Sequence, residues 1–221
     1  MVPQDNKSNA VSVKSVKDRL LDAAESLFCE HGFKGTSIRD IAAAAGCNIA
    51  SVNYYFGSKE NLYEQVWHRY LIPMRDARIA SINKVMNQTG GQPNLEDLLK
   101  SFAHTFVGSL EDAGRGGRLS KLMAREYIDS RLPTNMFVDE VMKPTVTAMH
   151  RALVIICPGL DESKILPVVF SIVGQLVHLV NLKTMFEQSN DDLDLPALDS
   201  DKVIDHIVKF SAAGIRAYID K

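Results

Sequence analysis

Apolar residues recur at the spacing of an α-helix in every segment of this sequence, and no segment alternates convincingly between apolar and polar residues as a strand would. The first four helices are predicted to begin after the capping residues Ser15, Thr36, Asn48 and Ser58. Breakers rich in Gly, Pro, Asp and Asn delimit five more, near residues 95–111, 118–130, 134–156, 164–187 and 201–219. The sequence therefore predicts an all-α fold.

The composition is that of a soluble globular protein, with 46% hydrophobic and 24% charged residues. Residues 1–14 are polar and lack the apolar stretch of a signal peptide, so a flexible N-terminal tail and a cytoplasmic protein are expected. The three cysteines, Cys29, Cys47 and Cys157, form no CxxC pair. That spacing argues against a disulfide framework and against a zinc site, and we expect no metal and no cofactor.

The stretch TSIRDIAAAAGCNIASVNYYFGSKENL, residues 36–62, has the form of two short helices joined by a tight turn at Gly46. Glycine allows the positive φ that swings the second helix across the first. The second helix, from Asn48 to about Phe56, should turn short polar, amide and aromatic groups outward, which suit base edges and thymine methyl groups. These outward residues are Ile49, Ser51, Asn53 and Tyr54, and the capping residue Asn48 is also a candidate DNA contact. The pattern predicts a three-helix DNA-binding domain over residues 15–62, with a larger helical domain over residues 63–221.

The charge of the chain does not support nucleic-acid binding by itself. The net charge is −2, and residues 1–70 hold eight Lys and Arg against eight Asp and Glu. Attraction to phosphate must therefore depend on where the positive groups lie.

The runs TSIRDIAxxAG and YYFGSKENL resemble the DNA-binding domain of the TetR family of bacterial regulators, over roughly residues 15–65. The resemblance implies that Thr36 and Ser37, at a helix N-terminus, contact phosphate. It also implies that Arg39 contacts a base or a phosphate, and that Tyr55 and Lys59 contact the DNA backbone. Asn53 stands where the family usually has Tyr, and Ile49 where a polar residue is common, so the operator sequence does not follow from the resemblance.

The segment ILPVVFSIVGQLVHLVNLKTMF, residues 165–186, is nearly apolar all round. Ser171, Gln175 and His178 interrupt it, and a membrane-spanning helix tolerates such residues poorly. We therefore expect a helix buried twice, against its own domain and against a second copy of the chain. TetR-like proteins dimerise through two such C-terminal helices, and the predicted interface residues are Val173, Gly174, Val177, Val203, Ile207 and Phe210.

A ligand pocket between helices of the C-terminal domain is a further expectation. REYIDSRLPT (125–134) and SIVGQLVHLVNLK (171–183) resemble the CecR-type subgroup, which implies a ligand-sensing domain without naming the ligand. The candidate pocket residues are Phe102, His104, Phe106, Met123, Tyr127, Gln175 and His178. Aromatic and Met residues in such a set more often belong to a plain core, and the polar ones could lie at the dimer interface or be hydrogen-bonded within the fold.

These observations predict a homodimeric, sequence-specific DNA-binding regulator, a repressor that releases operator DNA on binding a small molecule. A ligand-independent helix-turn-helix protein is the alternative. A closed cavity with polar groups pointing into it would separate the two. No nucleotide-binding, hydrolase or metalloprotease motif occurs, so an enzyme is not expected.

Overall fold

The computed structural model describes residues 14–88, 92–111, 116–133, 135–188 and 199–219. Over these ranges all regular structure is helical, which confirms the all-α prediction. The chain divides into two compact units between Trp67 and His68, inside the fourth helix, whereas the sequence prediction put the boundary after residue 62. Residues 1–13 of the predicted tail lie outside the described residues.

The first unit consists of α1 (Val16–His31), α2 (Ile38–Ala44), α3 (Ile49–Phe56) and the beginning of α4 (Lys59–Met86). Three of the predicted N-terminal caps are present: Ser15 caps α1, Asn48 caps α3, and the Ser58 hydroxyl accepts a hydrogen bond from the Asn61 N–H at the start of α4. The prediction of Thr36 as the cap of α2 is wrong by one residue. Ser37 is the cap, and its side chain accepts a hydrogen bond from the Asp40 N–H.

An aromatic cluster forms part of the core of the first unit. The Phe28 ring packs edge-on against Tyr63 with 4.9 Å between ring centroids, and Phe33 contacts the same tyrosine at 5.1 Å. Around them α1 packs against α2 and α3, and α2 packs against α3. Ile41 of α2 and Val52 of α3 are buried in this core. Burial of Val52 determines which face of α3 remains exposed.

The second unit continues α4 and adds α5 (Leu95–Glu111), α6 (Gly116–Asp129), α7 (Lys143–Ile156), α8 (Glu162–Gln188) and α9 (Ser200–Ile219). Helices α5, α8 and α9 pack against one another, α6 packs against α5, and α7 packs against α8. Their apolar stripes join in one core that includes Phe102, Leu153, Leu176 and Ile207.

A π-helical segment, Val138–Met142, leads directly into α7, where a single uninterrupted helix was predicted. Pro144 supplies a physical reason, because proline has no N–H to donate to the carbonyl of Glu140 four residues earlier. The helix widens before it, and the Lys143 N–H donates to the carbonyl of Val138, five residues back.

Candidate nucleic-acid interface and ligand cavity

The turn between α2 and α3 is held by backbone hydrogen bonds and requires a glycine. The Cys47 N–H donates to the Ala42 carbonyl at 2.9 Å, and the Gly46 N–H donates to Ala43 at 3.1 Å. Gly46 has a φ of +61°, a conformation that L side chains rarely adopt. The two short helices therefore cross at a defined turn, in the arrangement of a helix-turn-helix.

Helix α3 buries one side and exposes the other. Val52 and Phe56 lie in the core of the first unit. Ile49, Asn53 and Tyr55 are exposed, and Tyr54 is the most exposed of the large side chains in this helix, at 83%. The Tyr54 and Tyr55 rings contact each other edge-on at 5.0 Å. Ser51 is half-buried, and the side chain of Asn48 is occupied as the helix cap, accepting from the Ala50 N–H at 3.0 Å. This face presents aromatic and amide groups that the unit does not itself cover.

Thr36 does not lie where the resemblance implied. Its side chain is 2% exposed, and its hydroxyl lies 2.9 Å from the Gly32 carbonyl and 3.1 Å from the Leu27 carbonyl, both of which it can donate to. A hydroxyl committed inward cannot meet a phosphate on the surface. Thr36 instead ties the start of α2 to the end of α1.

Besides Tyr55, the other predicted phosphate contacts Ser37, Arg39 and Lys59 are exposed or half-buried. The Ser37 hydroxyl is exposed but donates to Asp40 Oδ2 at 2.6 Å, and this bond holds the pKa of the Asp40 carboxyl below its usual value. Arg39 is exposed on α2. The Lys59 ammonium lies over the Phe33 ring, 4.1 Å from its centroid, so its position at the start of α4 is defined by packing.

The second unit contains a cavity of about 650 Å³, which is within the range of small-molecule sites. Three of the predicted pocket residues, Phe102, Phe106 and Met123, line it. The lining also includes apolar residues of α4, α6, α7, α8 and the π-helical segment: Met74, Ile128, Val141, Val146, Val169, Phe170, Val173, Val177 and Val180.

The remaining polar candidates do not line this cavity. His104 is exposed, with its Nδ1 3.7 Å from Asp201 Oδ1. Gln175 donates to the carbonyl of Ser171 at 3.1 Å on its own helix, and His178 is exposed. The side chain of Tyr127 is outside the described part of the chain. Periodicity placed His104, Gln175 and His178 on helices that line the cavity, but on faces that point away from it.

The polar residues that line the cavity, Arg78, Ser120, Thr145 and Asn181, were not predicted from the sequence. Arg78 of α4 is 5% exposed, and its guanidinium carbon lies 3.9 Å from the centroid of the Phe106 ring. Burial lowers the pKa of Arg78 to about 10, so it carries its charge at neutral pH. Thr145 of α7 is 6% exposed. The available signal was position: Arg78 lies at helical spacing after Leu71 and Met74, and Thr145 lies between Val141 and Met149, each on a buried stripe.

Helices α8 and α9 each carry apolar side chains that the second unit leaves exposed, and these residues together are here called the α8–α9 face. It consists of Leu166, Phe170, Gly174, Val177, Phe210 and Tyr218, with Phe210 64% exposed. Ile207 was wrongly assigned to an intersubunit seam, because it is 4% exposed and belongs to the core of its own unit. Val173 and Val203 are half-buried and pack against that core. Phe170, Val173 and Val177 also line the cavity, so the α8–α9 face and the cavity share Phe170 and Val177.

One helix in the described part of the chain is long and apolar enough to cross a membrane, the stretch Glu162–Lys183 of α8. Its most apolar window is 33% buried inside the chain. Length and composition alone do not distinguish a membrane span from the core helix of a soluble protein. The exposed side of the helix carries Ser171, His178 and Asn181, which a bilayer interior disfavours.

A three-helix unit with a helix-turn-helix, joined to an all-helical unit with a partly open apolar cavity, is the architecture of helix-turn-helix transcription regulators. Residues 20–66 match the family model described as bacterial regulatory proteins, tetR family. Residues 95–215 match the model of the C-terminal domain of the HTH-type transcriptional dual regulator CecR. The chain therefore belongs to the TetR family, with a C-terminal domain of the CecR type.

Curated relatives resemble this chain mainly in the first unit. It is 46% identical over 59 residues to the dual regulator CecR of Shigella flexneri, covering 27% of this chain and 26% of that protein. It is 44% identical over 50 residues to IcaR of Staphylococcus aureus, a negative transcriptional regulator of the biofilm operon icaADBC, covering 23% of this chain and 27% of IcaR. The aligned segments thus span about a quarter of the length of these curated relatives.

Solved structures resemble the chain over most of its length. A TetR-family regulator from Mesorhizobium loti superposes with a TM-score of 0.68 at 17% identity, covering 90% of this chain and 96% of that one. The fatty acid degradation regulator FadR from Bacillus halodurans superposes with a TM-score of 0.61 at 19% identity, covering 93% and 98%. At this level of identity the likeness establishes the fold.

Proposed function

We propose that this protein is a cytoplasmic, homodimeric repressor that binds operator DNA through α3 and releases it when a small molecule occupies the cavity of the second unit. The observation that carries the DNA-binding part is the exposed face of α3, where Asn53, Tyr54 and Tyr55 stand clear of a well-packed first unit. Side chains of these types read base edges and contact the backbone in helix-turn-helix proteins.

Binding to DNA would divide between positioning and reading. Arg39 and Lys59 are cations in the first turns of α2 and α4, and contacts from such groups to phosphate set the register without reading sequence. The amide of Asn53 can pair with an adenine edge, and Ile49 offers an apolar surface to a thymine methyl group. The balanced charge of the first unit means that a few local contacts, rather than a strong overall field, would drive association.

Dimerisation through the α8–α9 face is the second part of the proposal. Six residues of this face, five of them large apolar side chains, are uncovered in one copy of the chain, and a face of this kind calls for a partner. A twofold dimer would also present two copies of α3 to successive major grooves, as operators with paired half-sites require.

Repression by release requires that ligand and DNA disfavour each other. A ligand that weakens DNA binding by some factor must itself be bound more weakly by the same factor when DNA is present. The name of IcaR, a negative regulator, supports repression. CecR is named a dual regulator, so activation of transcription at some promoters is the alternative.

The cavity favours a ligand-responsive regulator over a ligand-independent one. Its volume of about 650 Å³, its apolar lining and its buried Arg78 are features of a site for a small molecule rather than of packing alone. The proposal includes no catalysis, because the polar residues among the described lining, Arg78, Ser120, Thr145 and Asn181, include no carboxylate, His or Cys to activate a hydroxyl.

The test is binding of the full-length protein to the DNA upstream of its own gene, measured by gel shift and by fluorescence anisotropy against a scrambled duplex of the same composition. Preference for the upstream DNA is expected, with weaker binding by Tyr54→Ala. Lys17→Ala, which removes an exposed cation from α1 outside the motif, is the matched control and should bind as the wild type does. Equal binding to both duplexes under all salt conditions would contradict the proposal.

A further inference from the structure

We infer that the ligand of this cavity is an anionic amphiphile, an apolar molecule carrying one carboxylate or similarly small anionic group, which Arg78 and Thr145 bind. The inference rests on the proposed function, since it names the chemical class of the effector. It adds a charge requirement that an apolar cavity alone would not impose.

Arg78 is a buried cation without a counter-charge among the described residues. It is 5% exposed, no described residue forms an ion pair with its guanidinium, and its Nε has no hydrogen-bond partner there. Burial lowers the pKa of Arg78, and no neighbouring carboxylate raises it. A buried charge without a counter-charge is strongly destabilising. A bound anionic ligand would supply the counter-charge that the guanidinium of Arg78 lacks.

The surroundings of Arg78 suit a planar anion. Its guanidinium carbon lies over the Phe106 ring at 3.9 Å, a contact that uses the flat side of the group. The N–H donors point outward in the plane of the group, where they match the two oxygens of a carboxylate. Arginine is better suited than lysine to both contacts at once.

A second unsatisfied polar group lines the same cavity. Thr145 Oγ1 is buried without a hydrogen-bond partner in the described structure, and its side chain is 6% exposed. Thr145 follows the π-helical segment whose Val141 and Met142 also line the cavity, and π-helical segments are frequent at functional sites. The hydroxyl can donate to an anion, and both orphaned groups then gain a partner in one binding event.

The rest of the wall fits the apolar body of such a ligand. Met123, Ile128 and Phe137 line the cavity and are substantially exposed, so an apolar ligand would cover surface that the protein alone leaves in water. A uniformly polar ligand, such as a sugar, would find too few partners on these walls. The ligand therefore combines one charge with a mostly apolar remainder.

The experiment compares ligands that differ only in charge. Dodecanoate, dodecanol and anilinonaphthalene sulfonate are titrated into the full-length protein below their aggregation concentrations, by calorimetry and by fluorescence. The wild type should bind dodecanoate about 10- to 100-fold more tightly than dodecanol, which corresponds to about 1.4–2.8 kcal/mol. It should also bind the aromatic sulfonate.

Variants separate the charge from the cavity. Arg78→Met keeps the apolar volume of the side chain, so this variant should lose the preference for dodecanoate while still binding dodecanol. Arg78→Lys keeps the charge and should show a preference for dodecanoate between those of Arg78→Met and the wild type. Thr145→Val should weaken dodecanoate several-fold and leave dodecanol unchanged. Arg75→Met, one helical turn before Arg78 with its guanidinium bonded to Asp76, is the control and should keep the wild-type preference. Without ligand, Arg78→Met should also unfold at a higher temperature than the wild type, because an uncompensated charge is gone.

Equal affinity for dodecanoate and dodecanol in the wild type, a preference that survives Arg78→Met, or binding of neither anion would overturn the inference. Its failure is distinguishable from that of the proposed function because operator binding is measured separately on the same proteins. Specific DNA binding without anion preference removes the inference alone. Anion preference without specific DNA binding removes the proposed function alone.

Discussion

Replacing Thr36 by Val tests whether this residue closes the fold or contacts DNA. The two side chains have nearly the same shape, so the change removes a hydroxyl and little else. That hydroxyl lies 2.9 Å from the Gly32 carbonyl and 3.1 Å from the Leu27 carbonyl in a side chain that is 2% exposed. A hydrogen bond contributes about 0.5–1.5 kcal/mol net, and a buried carbonyl left without a partner costs about 1–3 kcal/mol. We expect the first unit to lose about 1–2 kcal/mol of unfolding free energy.

The chain's single tryptophan supplies the assay. Trp67 is buried in the first unit and packs edge-on against Tyr63, so its fluorescence follows the unfolding of that unit in urea. With a slope of about 1–2 kcal/mol per molar urea, the midpoint should fall by on the order of 1 M. Thr147→Val, the same change at an exposed site in α7, is the control and should leave the midpoint unchanged.

DNA binding by Thr36→Val decides between the two roles. A lost phosphate contact would reduce the slope of log affinity against log salt by about 0.9. The structure predicts an unchanged slope, because the hydroxyl points inward. A reduced slope together with an unshifted urea midpoint would refute the reasoning and restore Thr36 to the DNA interface.

Three further predictions concern the surface of the protein. Arg39→Ala should weaken binding to upstream and scrambled duplexes alike and reduce the salt slope by about one, whereas Asn53→Ala should change the ratio between them. Equal loss on both duplexes would exclude Asn53 from base reading. Phe210→Glu places a charge on the α8–α9 face and should give monomers in sedimentation velocity; a dimer at nanomolar concentration would locate the seam elsewhere. Asp40→Asn should lower urea stability at pH 7, because the Asp40 pKa is lowered in the fold mainly by its hydrogen bond from Ser37. The difference from the wild type should begin to shrink as the pH falls below the ordinary carboxyl pKa of 3.8, and a difference that stays constant from pH 5 down to the most acidic point of the series would contradict this.

The helices, most of their caps and the helix-turn-helix could be predicted because the information for them is local. Ser15, Asn48 and Ser58 each bond to an N–H two or three residues ahead, so cap chemistry is visible in a short window. Gly46 supplies a conformation that its own residue type permits. A motif that is contiguous in sequence also carried the family resemblance, which the comparison with family models confirmed.

The direction in which a polar side chain points was not predictable in the same way. Whether Thr36 or Ser37 caps α2 depends on the carbonyls of Leu27 and Gly32, which attract one hydroxyl inward and leave the other to the helix. Likewise, Arg78 became a cavity residue because it faces Phe106 on another helix, a contact across 28 residues of sequence.

The sequence by itself determined that this chain is helical, where most of its helices begin, and which family it belongs to, because periodicity, capping and motif spacing act over a few residues. The tertiary structure alone decided which faces those helices turn inward. Helix α8 is apolar nearly all round. Its sequence pattern therefore does not show which residues face the core, which face the cavity and which lie on the α8–α9 face. For that reason Ile207 was placed at a seam although it lies in the core, and Gln175 and His178 were placed in a cavity that they do not line. A buried face is selected by the packing of several helices at once, and that selection depends on contacts between residues far apart in sequence.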